Sequence, residues 1–588
     1  MIQPINRHVL IDAAMGRIDH DLILYNAKIL NVYTGEILQG EIWIHEGFIT
    51  HVEVHEKDTC IGKAKTKIDL LGATVIPGLI DPHVHIESSM LTPQRFAQAI
   101  LPHGTTTVIT DPHEIANVYG VKGVKYMHDA GMKSPMRQLI HVPSCVPSVL
   151  GLENAGAVFG PQEIESLFEL ESVVGLAEVM DFVGVIQNEP RMHELLELTQ
   201  RKGRFIQGHA PTLTGASLSA YRLGGASSDH EVMTGQEALE SIRNGIYVDA
   251  RDSSIAQNIK TIYDGVKNLR YLDRLTLCSD DVEAQDLLEH GSVDALINRV
   301  IALGMDPIDA IRCATLNAAM QIKEDCLGAI APGCVADLVI TESLSPVKAK
   351  QVYVSGNLVA ENGKLLDLGE VTEHPLEKQN SINLPTLSVE RLTLKAPIKE
   401  GQVKVNVMAY DSSISSITHL SQELLKVKDG KLILDDPDLK FVAVINRYGK
   451  DQMALHVVRH FGSTKGCIAS TVSHDSHNLV MVYEDPKDAL VAAKHLQSIQ
   501  GGLCTVKDGQ VTGSLALPVA GLMANVSVET MAKQSEALKI QLRALGLTAL
   551  ENPLLRIVTL ALPVIPYVKM SDMGCIDVIK KTFIPLYD

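Results

Sequence analysis

The stretch Pro77-Gly78-Leu79-Ile80-Asp81-Pro82-His83-Val84-His85 runs from an apolar segment straight into a pair of histidines two residues apart. Residues two apart on a strand point to the same face, so His83 and His85 can present two imidazoles to one metal ion. An isolated His-x-His is weak evidence for a metal site against a packed or solvated pair, and its surroundings have to decide. From Thr74 onward short apolar runs recur: VIPGLID, TTTVIT, RQLIHV, VVGLAEV, RFIQGH, GIYVDA and LTLCSD. Between them lie helical-looking segments at 161–170, 192–203, 235–244 and 255–269, several of them opened by Pro, Thr or Ser and closed by Gly or Asn. That alternation predicts an α/β fold with roughly eight β/α units, a barrel of about 250 residues whose active site lies at the carboxyl ends of its strands. Four more candidate ligands stand at such ends: Glu178, His209, His230 and Asp280. A buried His or Asp can simply satisfy neighbouring backbone groups, but five strand ends sharing that explanation is a poor fit to chance.

Outside the barrel the texture is different. Residues 22–29, 40–45 and 48–54 read as strands, and after a helical run at 307–320 the chain returns to β character at LGAIAPGCVADLVITE and at a hairpin in QVYVSGNLVAENGK. The expected organisation is a small β-sandwich domain from 1–74 and 325–368, a barrel at 75–324, a polar linker at 369–390, and a separate C-terminal α/β domain at 391–588. No fixed-period repeat is present.

The 588 residues are 46% hydrophobic and 21% charged, enough for several cores. A net charge of −18 without any Lys/Arg cluster argues against nucleic acid or a membrane surface as partner and leaves a small molecule. Nine scattered cysteines without Cys-x-x-Cys spacing indicate a reducing compartment, taken as the cytoplasm. The N-terminal residues show no secretion signal. The apolar stretch 557–568 carries two prolines and is far short of the about 20 residues that cross a bilayer, so it reads as a buried strand.

The PGLIDPHVH segment, Gly104-Thr105-Thr106-Thr107 and Gly333-Cys334-Val335-Ala336-Asp337-Leu338-Val339 resemble the amidohydrolase superfamily over residues 20–365. Further motifs are similar to its adenine deaminase family: His85-Ile86-Glu87-Ser88-Ser89-Met90, Asp111-Pro112-His113-Glu114, Ser144-Cys145-Val146-Pro147, Gly175-Leu176-Ala177-Glu178, Thr471-Val472-Ser473-His474-Asp475-Ser476-His477-Asn478 and Leu515-Ala516-Leu517-Pro518-Val519-Ala520-Gly521-Leu522-Met523. That resemblance spans nearly the whole chain. It implies conversion of adenine and water to hypoxanthine and ammonia in purine salvage, a homo-oligomer such as a dimer, and two divalent cations, Mn2+ or Fe2+. His83, His85 and Asp280 are expected around one cation and His209 and His230 around the other, with Glu178 bridging.

Water is a poor nucleophile and the amine must leave protonated, so such a reaction needs a cation and a carboxylate that moves a proton. Asp280 and Glu178 are the expected catalytic carboxylates, and the adjacent Asp281 can exchange roles with Asp280. Candidates for holding the purine are Glu114, Asp111, His113 and Arg251, although Arg251 can instead pair with Asp249 or Asp252. The His474–His477 cluster can extend the metal site, shape the pocket or cap a strand, and Gly501-Gly502 reads as a turn. Rival functions are another nucleobase or cyclic-amide hydrolase and a scaffold without activity. A base-flipping zinc deaminase is excluded by the missing Pro-Cys-x-x-Cys.

Overall fold

The structure is a computed structural model and describes residues 6–56, 59–366 and 371–587. Strands covered on both faces tend to be apolar throughout, and Leu79–His85, Thr105–Thr110, Arg137–Val142 and Val173–Val179 are buried at every position. These four join Phe205–Gly208 in one parallel sheet, and Ser228–Asp229, Tyr247–Arg251 and Leu275–Cys278 form a second. The Ser227 amide donates to the Ile206 carbonyl at 2.9 Å across the gap between them. On the other side the chain breaks at Ser279, and Asp280–Asp281 pairs in parallel with Val84 and His85, closing an eight-stranded barrel. The β/α alternation thus becomes the predicted barrel.

Close approach at the gap depends on glycine. A Cβ on Gly208 would lie 2.0 Å from the Ser228 carbonyl oxygen, so any larger residue would push apart the two strands that carry His209 and His230.

Segments before and after the barrel form one nine-stranded sheet, in which Thr74–Pro77 lies between His20–Asn31 and Leu338–Leu344. A second nine-stranded sheet, from Gly401–Tyr410 to Gln510–Ala516, packs with helices Pro486–Ser498 and Val528–Ala544 in the C-terminal part. Its contact with the barrel is intimate: the Ala524 amide donates to the Met90 carbonyl at 2.9 Å, and Leu91, Leu522 and Met523 share one core. Residues 371–390 run between the two, with Tyr126 Oη donating to Glu377 and Tyr119 Oη to the Gln379 carbonyl. The expected boundary at 368/369 lies outside the described residues.

One expectation is corrected. Residues 557–568 are not a buried strand; a helical turn, Leu555–Val558, precedes irregular chain, and the strand Val568–Ser571 begins only at the end of that stretch. Pro563 and Pro566 lack the amide hydrogens a ladder needs, which explains the late start. Among the described residues no helix is long and apolar enough to cross a membrane.

Candidate metal centre and adjoining cavity

All six strand-end residues meet at the carboxyl end of the barrel. His83 and His85 project from the same face of their strand, and each has its Nδ1 occupied, by Gln207 Oε1 at 3.1 Å and by the Asp111 carbonyl at 3.0 Å. When Nδ1 donates to such an oxygen, the Nε2 lone pair is free for a cation. Both Nε2 atoms face Asp280 Oδ1, at 3.2 and 3.3 Å, and His85 Nε2 also lies 3.6 Å from Glu178 Oε1. Glu178 Oε2 is 2.6 Å from His209 Nδ1 and 3.1 Å from His230 Nε2. His83 and His230 stack with centroids 4.1 Å apart.

The electrostatics are those of a site built around charge. Burial would raise Glu178, but the His209 and His230 rings hold it well below its ordinary value. Burial would raise Asp280 too, and Arg251 with His83 holds it down. His209 is penalised by burial yet pushed up to about 9 by Glu178 and Glu231, while burial and His83 bring His230 down to about 4.

Donor chemistry fits divalent cations. One ligand atom each from His83, His230 and Asp280 lies within 4.8 Å of the others, and the same holds for Glu178, His209 and His230. His83 Nε2, His230 Nδ1 and both Asp111 oxygens are buried without a hydrogen-bond partner, a cost that coordination by a cation would remove. His230 belongs to both groups, so the structure brings together His83 and His230, which the resemblance assigns to different cations. His85, Asp111, His113 and Glu178 form a further group within the same 4.8 Å.

Next to this centre is a small cavity lined by Glu87, Ser88, Met90, Glu114, Ser254, Ile255, Asp281, Glu283, Val472, His474, Leu554, Leu555 and Val558. It shares Ser254, Ile255, Glu283 and Leu555 with an outer cleft of about 1220 Å³. Glu114 lines the cavity; Asp111 and Arg251 do not. The alternative pairing of Arg251 with Asp249 or Asp252 is corrected: its guanidinium bonds to Asp280 and, at 2.6 Å, to Glu231 Oε1. Asp249 accepts from Thr276 and Gln321, and Asp252 faces Arg299.

The His474–His477 turn comes from the C-terminal part and reaches the barrel. His474 Nδ1 lies 3.2 Å from Glu114 Oε1, His477 Nε2 3.5 Å from Glu114 Oε2, and His113 Nε2 3.7 Å from Asp475 Oδ1. Glu231 is the residue that sequence reasoning missed; adjacency to His230 was its only signal. Asp281 accepts from Ser88 Oγ at 2.5 Å, and burial together with Asp280 raises its carboxyl.

Two family models match the chain: an amidohydrolase family domain over residues 74–359 and an adenine deaminase C-terminal domain over residues 415–582. An adenine deaminase of Halalkalibacterium halodurans is 37% identical over 96% of this chain and 95% of its own length. An adenine deaminase 2 of Carboxydothermus hydrogenoformans is 37% identical over 98% of this chain and 99% of its own. An adenine deaminase of Geobacillus kaustophilus matches at the same identity and coverage.

Proposed function

The chain belongs to the adenine deaminase family of the amidohydrolases, and from that membership we propose that it hydrolyses adenine to hypoxanthine and ammonia at a binuclear centre holding Mn2+ or Fe2+. His83, His85, Glu178, His209, His230 and Asp280 are the residues that would hold the two cations. The single observation that carries this assignment is the convergence of those six side chains, from five strand ends, on one buried cluster.

When bound, the two cations supply Lewis acidity that brings the pKa of water toward neutrality. The chain does the rest. Asp280 accepts a proton from the attacking water and passes it to the exocyclic amine, which leaves C6 as ammonia. Arg251 orients Asp280 and keeps its carboxylate ionised. Adenine occupies the adjoining cavity, where Glu114 hydrogen-bonds the purine edge. Met90, Leu554 and Val558 line the same cavity and exclude water from the ring face. Asp111 stands closer to the metal centre and supports His85 and His113 there.

A second reading gives the proton transfer to Asp281, because it lines the cavity and its carboxyl is raised. All nine cysteines are free, which supports a reducing, cytoplasmic setting. The test of function is reconstitution: protein stripped by a chelator and reloaded with about two equivalents of Mn2+ or Fe2+ should release hypoxanthine and ammonia from adenine. Fully loaded protein that turns over another nucleobase but leaves adenine intact would assign it to a different substrate.

A further inference from the structure

The six strand-end residues suffice for two cations that share a carboxylate, yet the ligand-type side chains do not stop there. Four more meet where the barrel touches the C-terminal part. His113 and Glu114 follow the strand Thr105–Thr110, and His474 and Asp475 lie in the turn between the strands Cys467–Ser470 and Leu479–Tyr483. All four are buried, none more than 8% exposed.

Their spacing distinguishes them from an ordinary hydrogen-bonded cluster. Glu114 Oε1 is 3.2 Å from His474 Nδ1, but Asp475 Oδ1 is 3.9 Å from that same nitrogen and 3.7 Å from His113 Nε2. The last two are beyond hydrogen-bond range. Around a single cation with bonds of about 2.1 Å, neighbouring ligand atoms sit about 3.0 Å apart and opposite ones about 4.2 Å. One ligand atom from each of His113, Glu114 and His474 lies within 4.8 Å of the other two, and Asp475 Oδ1 stands beside two of the three. Independently, Asp475 Oδ2 is buried without a hydrogen-bond partner, whereas His113 Nδ1 stands 3.3 Å from Asp111 Oδ2 and 3.4 Å from Glu178 Oε1 and leaves Nε2 for this site.

We propose that His113, Glu114, His474 and Asp475 form a third divalent-cation site that pins the C-terminal part of the chain to the mouth of the barrel. Two imidazoles with two carboxylates suit Mn2+, Fe2+ or Zn2+ better than Mg2+ or Ca2+, which prefer an all-oxygen shell. Because two ligands come from each side of the junction, occupancy ties together segments about 360 residues apart in sequence. The site stands on its own donors and does not depend on adenine being the substrate.

The experiment counts metal in the full-length protein. Chelator-treated chain is dialysed to saturation against MnCl2, and bound Mn2+ is measured by mass spectrometry and by electron paramagnetic resonance during titration. Wild type should hold about three Mn2+ per chain and the His474→Gln/Asp475→Asn variant about two. The thermal midpoint of wild type should rise again as the last equivalent binds, and the variant should lack that final rise. Saturation of wild type at about two, or retention of about three by the variant, overturns the site. Should the double variant misfold by circular dichroism, Glu114→Gln makes the same count: about two supports the site and about three overturns it. Adenine turnover plays no part in the count, so failure of the third site and failure of the deaminase assignment are visible separately.

Discussion

Asp280 has a φ of 54°, in the left-handed region that aspartate tolerates better than most residues. That conformation follows the break at Ser279 and turns the carboxylate toward His83, His85 and Arg251. Asp280→Asn keeps the shape but removes the charge and the proton acceptor, so kcat should fall by about 10²- to 10⁴-fold with circular dichroism unchanged. Near-normal turnover in Asp280→Asn, with loss in Asp281→Asn, would move the proton transfer to Asp281. Glu153 offers a test by pH. Burial pushes its carboxyl from 4.5 up to about 7, despite the 2.5 Å bond from Ser148 Oγ. The folded chain therefore binds a proton that the unfolded chain releases, so this stabilisation is complete below pH 4.5 and is lost as pH rises through about 7. The difference amounts to roughly 3 kcal/mol. Relative to wild type, Glu153→Gln should gain thermal stability between about pH 5 and about pH 8; a gap that stays constant with pH would refute the assignment.

At the scale of elements, the turn after the last barrel strand couples the barrel to the C-terminal part. The Ser254 amide donates to the Asp281 carbonyl at 2.8 Å, and the Glu283 amide donates to Ser254 Oγ at 2.9 Å. The Glu283 carboxylate then receives Lys539 Nζ at 2.5 Å and the Asn552 amide from the C-terminal part. Glu283 thus links the segment that bears Asp280 to the wall of the cavity. Glu283→Ala should cost about 2 kcal/mol of stability and raise KM for adenine more than it lowers kcat, as steady-state kinetics would reveal. Element type was legible wherever an apolar run ended in a functional residue, as at VVGLAEV before Met180 and LTLCSD before Asp281. It failed at 557–568, where hydrophobicity alone suggested a strand and two prolines overrode it.

At the scale of the whole molecule, the barrel and the C-terminal part share one hydrophobic core in which Ile86, Met90 and Leu91 pack with Val519, Leu522 and Met523. A chain truncated after residue 366 would bare that surface and lose His474 from the cavity. Such a fragment should be poorly soluble and without deaminase activity even when reloaded with Mn2+, as sedimentation and a turnover assay would establish. A soluble, active fragment would show that the C-terminal part is dispensable.

Returning to PGLIDPHVH, the chain's local pattern was enough to establish the alternating barrel, the face on which His83 and His85 project and the strand-end places of Glu178, His209, His230 and Asp280. Those are consequences of backbone periodicity, which every short window of sequence expresses. Only the tertiary structure decided that Arg251 bonds Asp280 and Glu231, that His230 faces both His83 and Glu178, and that His474 and Asp475 reach His113 and Glu114. These contacts join residues far apart in the chain, and they depend on barrel closure at Ser279 and on the shared core that seats the C-terminal part. No local window carries that information.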